Sequence, residues 1–154
     1  MEKYILSIDQ GTTSTRAILF DKQGNLRATA QRECENFYPL PSWVEQNANT
    51  IWSSTVGVIS EVVAAANLKM EDVAAIGITN QRETTIIWDR ETGQPIDMAI
   101  VWQSRQSDSY CQAMKQKGLE PLFFEKTGLV LEPYFSASKI RYILDHVKGA
   151  QERA

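Results

Sequence analysis

The chain is poor in the residues that build covalent or metal-held frameworks. Its 154 residues include two cysteines, Cys34 and Cys111, and one histidine, His146. Two isolated thiols exclude a disulfide scaffold or a cysteine knuckle, and are expected to stay reduced in a cytoplasmic protein. One histidine leaves too little for a multi-histidine metal centre or a histidine-based triad. A dominant charge is also missing. Against 16 Lys+Arg stand 19 Asp+Glu, a net −3, so neither nucleic acid nor an anionic membrane is an expected partner. No hydrophobic run approaches the ~20 residues of a membrane span. The opening Met1-Glu2-Lys3-Tyr4 leads straight into an apolar stretch, not into a leader peptide. What remains is a soluble composition, 43% hydrophobic and 23% charged, at a length that makes one domain with a real core.

The most informative stretch runs from Ile5 to Phe20. Apolar residues fill both ends and the middle is polar with one glycine, which predicts a hairpin with Asp9 where the first strand runs out. Gly11 lets the backbone turn and another group come close, because no Cβ intervenes. Thr12, Thr13, Ser14 and Thr15 then offer hydroxyls and amides, and Arg16 adds a fixed positive charge. Donors gathered in a tight turn make an anion pocket, and a carboxylate beside a phosphate commonly holds a divalent cation or its waters. Composition alone favours a plain threonine- and glycine-containing turn, and phosphate binding rests on the context of the loop.

Asp21 to Asn25 is dense in turn formers, and Leu26, Ala28 and Ala30 alternate with polar residues as a third strand would. Phe37 to Val44 carries two prolines and reads as a loop pinned by its aromatics. Asn47 or Asn49 caps a helix expected over residues 49–66, with Ile51, Val58, Ile59, Val62 and Val63 on its buried stripe. Residues 74–79 are nearly all apolar, the pattern of a central strand covered on both faces. A strand, a crossover helix and a parallel strand would bring Thr79 to the sheet edge that carries Asp9, where open α/β sheets bind ligands. Asn80-Gln81-Arg82-Glu83 sits at that edge. A strand is expected over 84–89 and its return over 96–102. A helix capped by Ser107 follows, then a short helical turn ending at Gly128. A last helix from Ser136 carries Ile140, Ile143, Leu144 and Val147 inward, and the tail after Gly149 has nothing to pack.

Four separated segments carry a resemblance when read together. They are Asp9-Gln10-Gly11-Thr12-Thr13-Ser14-Thr15-Arg16, Trp43-Val44-Glu45-Gln46, Ile76 to Thr85 through Asn80-Gln81-Arg82-Glu83, and Ala99-Ile100-Val101-Trp102-Gln103. In this order the chain closely resembles the glycerol kinases of the carbohydrate-kinase family, within the actin, Hsp70 and sugar-kinase ATPase superfamily. The resemblance covers essentially all 154 residues. It implies a ribonuclease-H-like α/β fold, a mixed sheet with flanking helices, forming the amino-terminal part of the first domain of a two-domain sugar kinase. ATP and Mg2+ are the implied cofactors and glycerol the implied substrate, in a cytoplasmic enzyme whose full-length form is a homo-oligomer. The positions matching Thr12, Thr13, Ser14 and Arg16 contact nucleotide phosphates in the family, and the one matching Asp9 serves the metal. Those matching Arg82, Glu83, Trp102 and Tyr134 line the glycerol pocket.

Those residue types suit the chemistry. A triol both donates and accepts, so a carboxylate and a guanidinium together satisfy it, while aromatic faces cover the carbon chain. No residue matches the family's catalytic aspartate, which comes from sequence after residue 154, so no catalytic base is assigned. The adenosine pocket and the second half of the cleft are missing with it. Trp43, Trp52 and Trp88 are read as packing, and the competing readings elsewhere are a surface ion pair for Arg82 and Glu83 and core packing for Trp102 and Tyr134. For the parent protein they are a kinase of another polyol or sugar and an actin- or Hsp70-like ATPase, while the 154 residues alone are expected to be a structural or weakly ligand-binding module without turnover.

Overall fold

The computed structural model describes residues 3–154, so the expectation at Met1 and Glu2 lies outside the described residues. Along the chain the elements are β1 (Tyr4–Gln10), β2 (Ser14–Phe20), β3 (Leu26–Glu33), β4 (Glu45–Gln46), α1 (Ala48–Ala65), a 3-10 turn (Met70–Asp72), β5 (Val73–Asn80), β6 (Ala99–Ile100), α2 (Asp108–Gln116), α3 (Glu120–Thr127), α4 (Ser136–His146) and α5 (Ala150–Arg153). They group into two compact units. One takes the residues up to Glu35 with Asn47–Gln81, the other Asn36–Gln46 with Arg82–Ala154.

The first unit is a four-stranded mixed sheet in the order β3-β2-β1-β5. The β1–β2 and β2–β3 pairs are antiparallel, and β1 and β5 are parallel. Alternation fixes its inner face: Tyr4, Leu6 and Ile8 on β1 and Thr15, Ala17 and Leu19 on β2 are buried. Helix α1 lays Val58, Val62 and Val63 on that face, chiefly across β2 and β3. The expected helix is therefore present, and Asn47 is its cap. The Asn47 side-chain oxygen accepts from the amides of Asn49 (2.9 Å) and Thr50 (3.3 Å).

Strand β5 is not the covered central strand its composition predicts. It lies at the edge of the sheet, where α1 does not shield it, and Ile76 and Ile78 are 50% and 73% exposed. Its register is as expected: Asp9 faces Thr79 and Gln10 faces Asn80, so the C-terminal ends of β1 and β5 share one edge of the sheet.

The second unit is built from short elements. β4 and β6 pair antiparallel over two residues each, and Ile100, Ile143 and Ala150 are buried together among Ile87, Ile96, Tyr142 and Leu144. The expected strand at 84–89 is reduced to isolated bridges, and its long return to the two residues of β6. Ile87 pairs with Ile96, so an unbroken ladder would set Thr85 against Met98, yet Thr85 pairs with Ile100. The slip breaks the strand. Asp89 shapes the turn beyond, accepting from the amides of Glu91 (3.0 Å) and Thr92 (2.9 Å).

Two further departures, at Ser107 and at the tail, come from a side chain finding a distant partner. Ser107 occupies the cap position of α2, but its hydroxyl pairs with Ser138 Oγ at 2.9 Å rather than with a helix amide. Gly128 ends α3 as expected, at φ +71°. In α4 the buried positions are Lys139 and Ile143, whereas Ile140 is exposed. The tail is not idle. It forms α5, and Arg153 Nε donates to Asp89 Oδ2 at 2.9 Å. Trp43 meets Tyr142 edge-on at 5.7 Å, but Trp52 and Trp88 are 70% and 59% exposed and pack little. Among the described residues no helix is long and apolar enough to cross a membrane.

Candidate functional site

In the first unit the predicted phosphate-binding and metal residues lie on one hairpin. Asp9 and Arg16 are directly paired across β1 and β2, and Gly11, Thr12 and Thr13 form the connection. The Asp9 carboxylate is exposed, as are Thr13 and Arg16, while Thr12 and Ser14 are half-buried. Arg16 does not turn back on Asp9: its Nε donates to Gln31 Oε1 on β3 at 2.7 Å. The turn is closed by Gly11 N donating to Ser14 O at 2.9 Å.

This loop is braced from beneath by residues that pattern reading passed over. Gln10 Nε2 donates to Gly11 O at 2.9 Å. Gln81 Nε2 reaches Gln10 Oε1 at 3.2 Å and Gly11 O at 3.4 Å. The Cys34 thiol donates to the same carbonyl at 3.7 Å, its amide donates to Thr13 O at 2.9 Å, and its sulfur meets Thr15 Oγ1 at 3.4 Å. With the Gly11 carbonyl held by donors from three side chains, the loop's shape is set by the protein rather than by a ligand. Such preorganisation suits a site that recognises an anion by geometry. The sequence carried one cue for the brace, a glutamine beside each strand end.

Among the described residues no group of three acidic, cysteine or histidine side chains could hold a metal unaided. A lone carboxylate can still help hold a cation such as magnesium, which commonly takes one or two carboxylates and leaves the rest to substrate phosphates and water. Asp9 fits that role and could not make a closed protein cage.

In the second unit Arg82, Glu83, Trp102 and Tyr134 form two linked contacts and one outlier. Trp102 and Tyr134 meet edge-on with ring centroids 5.7 Å apart, beside a cavity of about 190 Å³ that Arg105, Glu132 and Pro133 also line. Glu83 Oε2 accepts from Ser136 Oγ at 3.0 Å, at the start of α4. The Trp102 amide donates to Thr84 Oγ1 at 3.3 Å, tying the residue beside Glu83 to the aromatic pair. Arg82 is exposed, and among the described residues no ion pair joins it to Glu83, so the surface-pair reading is not what the structure forms.

The backbone adds a feature no sequence signal announced. Glu83 has φ +64°, the left-handed region. For a residue with a side chain this costs about 1–2 kcal/mol, and such strain gathers at functional sites. Cys111, by contrast, is buried and its thiol is pushed up by desolvation, the state of an inert packing cysteine. His146 stacks on Tyr142 at 4.2 Å, at the end of α4.

Comparison with known proteins bears on the family and the fold. The model for the N-terminal domain of the FGGY family of carbohydrate kinases matches residues 4–154. A glycerol kinase of Geobacillus sp. (strain WCH70) is 58% identical over all 154 residues, and one of Bacillus licheniformis is 56% identical over the same span. The chain spans 31% of the length of each. Among solved structures, Plasmodium falciparum glycerol kinase with ADP matches 98% of the chain, and 30% of its own, at 31% identity and a TM-score of 0.89. A Lactobacillus acidophilus gluconate kinase gives the same TM-score at 21% identity, covering 100% of the chain and 30% of its own, a likeness of fold alone.

Proposed function

Since the chain belongs to the FGGY family of carbohydrate kinases, we propose that residues 1–154 are the amino-terminal part of the first domain of a two-domain, ATP-dependent glycerol kinase. The parent enzyme transfers the γ-phosphate of ATP to glycerol and gives sn-glycerol 3-phosphate. Phosphoryl transfer asks for positioning and charge neutralisation more than for covalent chemistry, and each group of residues serves one of those needs. Thr12, Thr13 and Ser14 donate to nucleotide phosphate oxygens from the braced hairpin, and Arg16 adds positive charge. Asp9 holds magnesium or its waters, and the metal when bound offsets the charge of the phosphates. Glu83 accepts from glycerol hydroxyls while Arg82 donates to them, and Trp102 and Tyr134 cover the carbon chain. A polar site of this kind penalises analogues that lack a hydroxyl.

The observation that carries the reading is that Asp9, Thr12, Thr13 and Ser14 gather at the β1–β2 connection and Arg82, Glu83, Trp102 and Tyr134 stand in loops of the matching domain, with Glu83 held in a conformation it would not adopt unaided. The family's catalytic aspartate has no match among these 154 residues, and on that ground the isolated chain is proposed to lack turnover. A homo-oligomeric, cytoplasmic parent protein that touches neither membrane nor nucleic acid completes the proposal. The test is coupled ADP release by the full-length protein. Glycerol-dependent turnover that Glu83→Ala abolishes is the expected result. Turnover with a different polyol or sugar and none with glycerol would overturn it, as would robust turnover by this chain alone for the claim that it is inactive.

A further inference from the structure

Lys139 is the largest fully buried side chain among the described residues, with 0% of its surface exposed. Its Nζ donates to three consecutive backbone carbonyls, those of Pro133 and Tyr134 (2.5 Å each) and Phe135 (3.4 Å). Burying an ammonium is costly, and an apolar residue of similar volume often serves stability as well or better. Its position makes the cost harder to explain by helix energetics. Lys139 is the fourth residue of α4, where the helix dipole disfavours a positive charge. Helix formation therefore does not account for it.

What the lysine does achieve is geometric. Three successive carbonyls drawn to one point fix the backbone from Pro133 to Phe135, and Tyr134 is the middle residue of the three. Its ring is thereby held edge-on to Trp102. The same helix start supplies Ser136, which holds Glu83, and the charge of Glu83 favours the ammonium form of Lys139. The two polyol-facing residues that no local pattern would fix are thus both tied to the first turn of α4.

We propose that Lys139 is a positioning residue for the polyol pocket, setting Tyr134 through the Pro133–Phe135 carbonyls and supporting Glu83 by its charge. The inference rests on the glycerol reading above. It does not make Lys139 a catalytic residue, since its buried ammonium is engaged by backbone carbonyls.

The experiment is steady-state kinetics on the full-length protein, wild type, Lys139→Met and Lys139→Arg, varying glycerol and ATP separately. Lys139→Met should raise the KM for glycerol tenfold or more and leave the KM for ATP within twofold. Lys139→Arg, which keeps a charged donor, should recover part of that loss. Equal change in both constants, or a glycerol KM within twofold of wild type, overturns the proposal. Should Lys139→Met not fold, wild-type protein supplies the reading. Desolvation lowers the Lys139 ammonium to about 8, with Glu83 and Cys111 the charged and titratable groups acting on it. The glycerol KM should then climb between pH 7 and 9.5 while the ATP KM stays level, and a flat glycerol profile overturns the proposal. Wild-type protein whose turnover ignores glycerol defeats the pocket reading and this inference together. A glycerol-dependent wild type with an unaltered Lys139→Met defeats this inference alone.

Discussion

A methyl group placed on Gly11 tests the braced hairpin most directly. The new Cβ would sit 3.0 Å from Ser14 O, a backbone atom, where ordinary contact begins at about 3.4 Å. Ser14 O is also the acceptor that closes the turn from Gly11 N at 2.9 Å, so the clash and the hydrogen bond compete for one atom. The turn must open by a few tenths of an ångström, weakening a bond worth a net ~0.5–1.5 kcal/mol. The Gly11 carbonyl, held by Gln10, Gln81 and Cys34, keeps the other side of the loop from following. Misplacing a binding group by 1 Å can cost 10²-fold, so a shift of a third of that predicts a loss on the order of 3- to 10-fold in kcat/KM for ATP. Coupled ADP release by full-length Gly11→Ala measures it, with ATP and glycerol varied in turn. Gly24→Ala is the control. Gly24 has φ +83°, and a methyl group there would meet nothing within 4 Å, so that variant should lose about 1–2 kcal/mol of stability without touching the ATP constants. An unchanged ATP KM in Gly11→Ala, or an equal rise in Gly24→Ala, would refute the reasoning.

Glu83 should separate stability from activity. Glu83→Gly and Glu83→Ala should both lose glycerol phosphorylation in the full-length protein, yet the glycine variant should unfold at higher urea than the alanine one by about 1 kcal/mol, because only alanine keeps the left-handed strain; equal midpoints would refute this. Asn47→Ala removes the side-chain acceptor that holds two amides of α1 and should cost about 1 kcal/mol, read as a lower urea midpoint at constant m-value. The Arg153 hydrogen bond, with help from the Thr92 amide, holds the Asp89 carboxyl at about 2. A carboxyl depressed in the folded state contributes stability above its unfolded value near 4, and loses that contribution as pH falls through 2. Urea midpoints taken from pH 5 to pH 2 should therefore fall more steeply in wild type than in Arg153→Gln, and parallel curves would remove the tail from the fold.

Where a residue's partner is its sequence neighbour, pattern reading located it well. The β1–β2 hairpin, the helix capped by Asn47 and the stop at Gly128 each depend on local chemistry, and each is present. The shared edge of β1 and β5 was also legible, because a crossover between parallel strands leaves few alternatives. Failures came where a distant group decided the outcome. Nothing in Ala74 to Thr79 distinguishes a strand covered on both faces from one left open, since that depends on what packs there. Arg153 looked idle because Asp89, 64 residues away, is its partner. Ile140 took the apolar place in the helical pattern that Lys139 occupies in space. The left-handed Glu83 is the clearest case, because glutamate gives no local hint of a positive φ.

The open rim along β5 has a practical consequence. Seven of its eight residues are exposed, none of them charged, and an unpaired row of amides and carbonyls beside them invites a further strand from any chain nearby. Expressed by itself, this polypeptide should cloud or oligomerise as its concentration rises. The Ile78→Lys variant should stay clear.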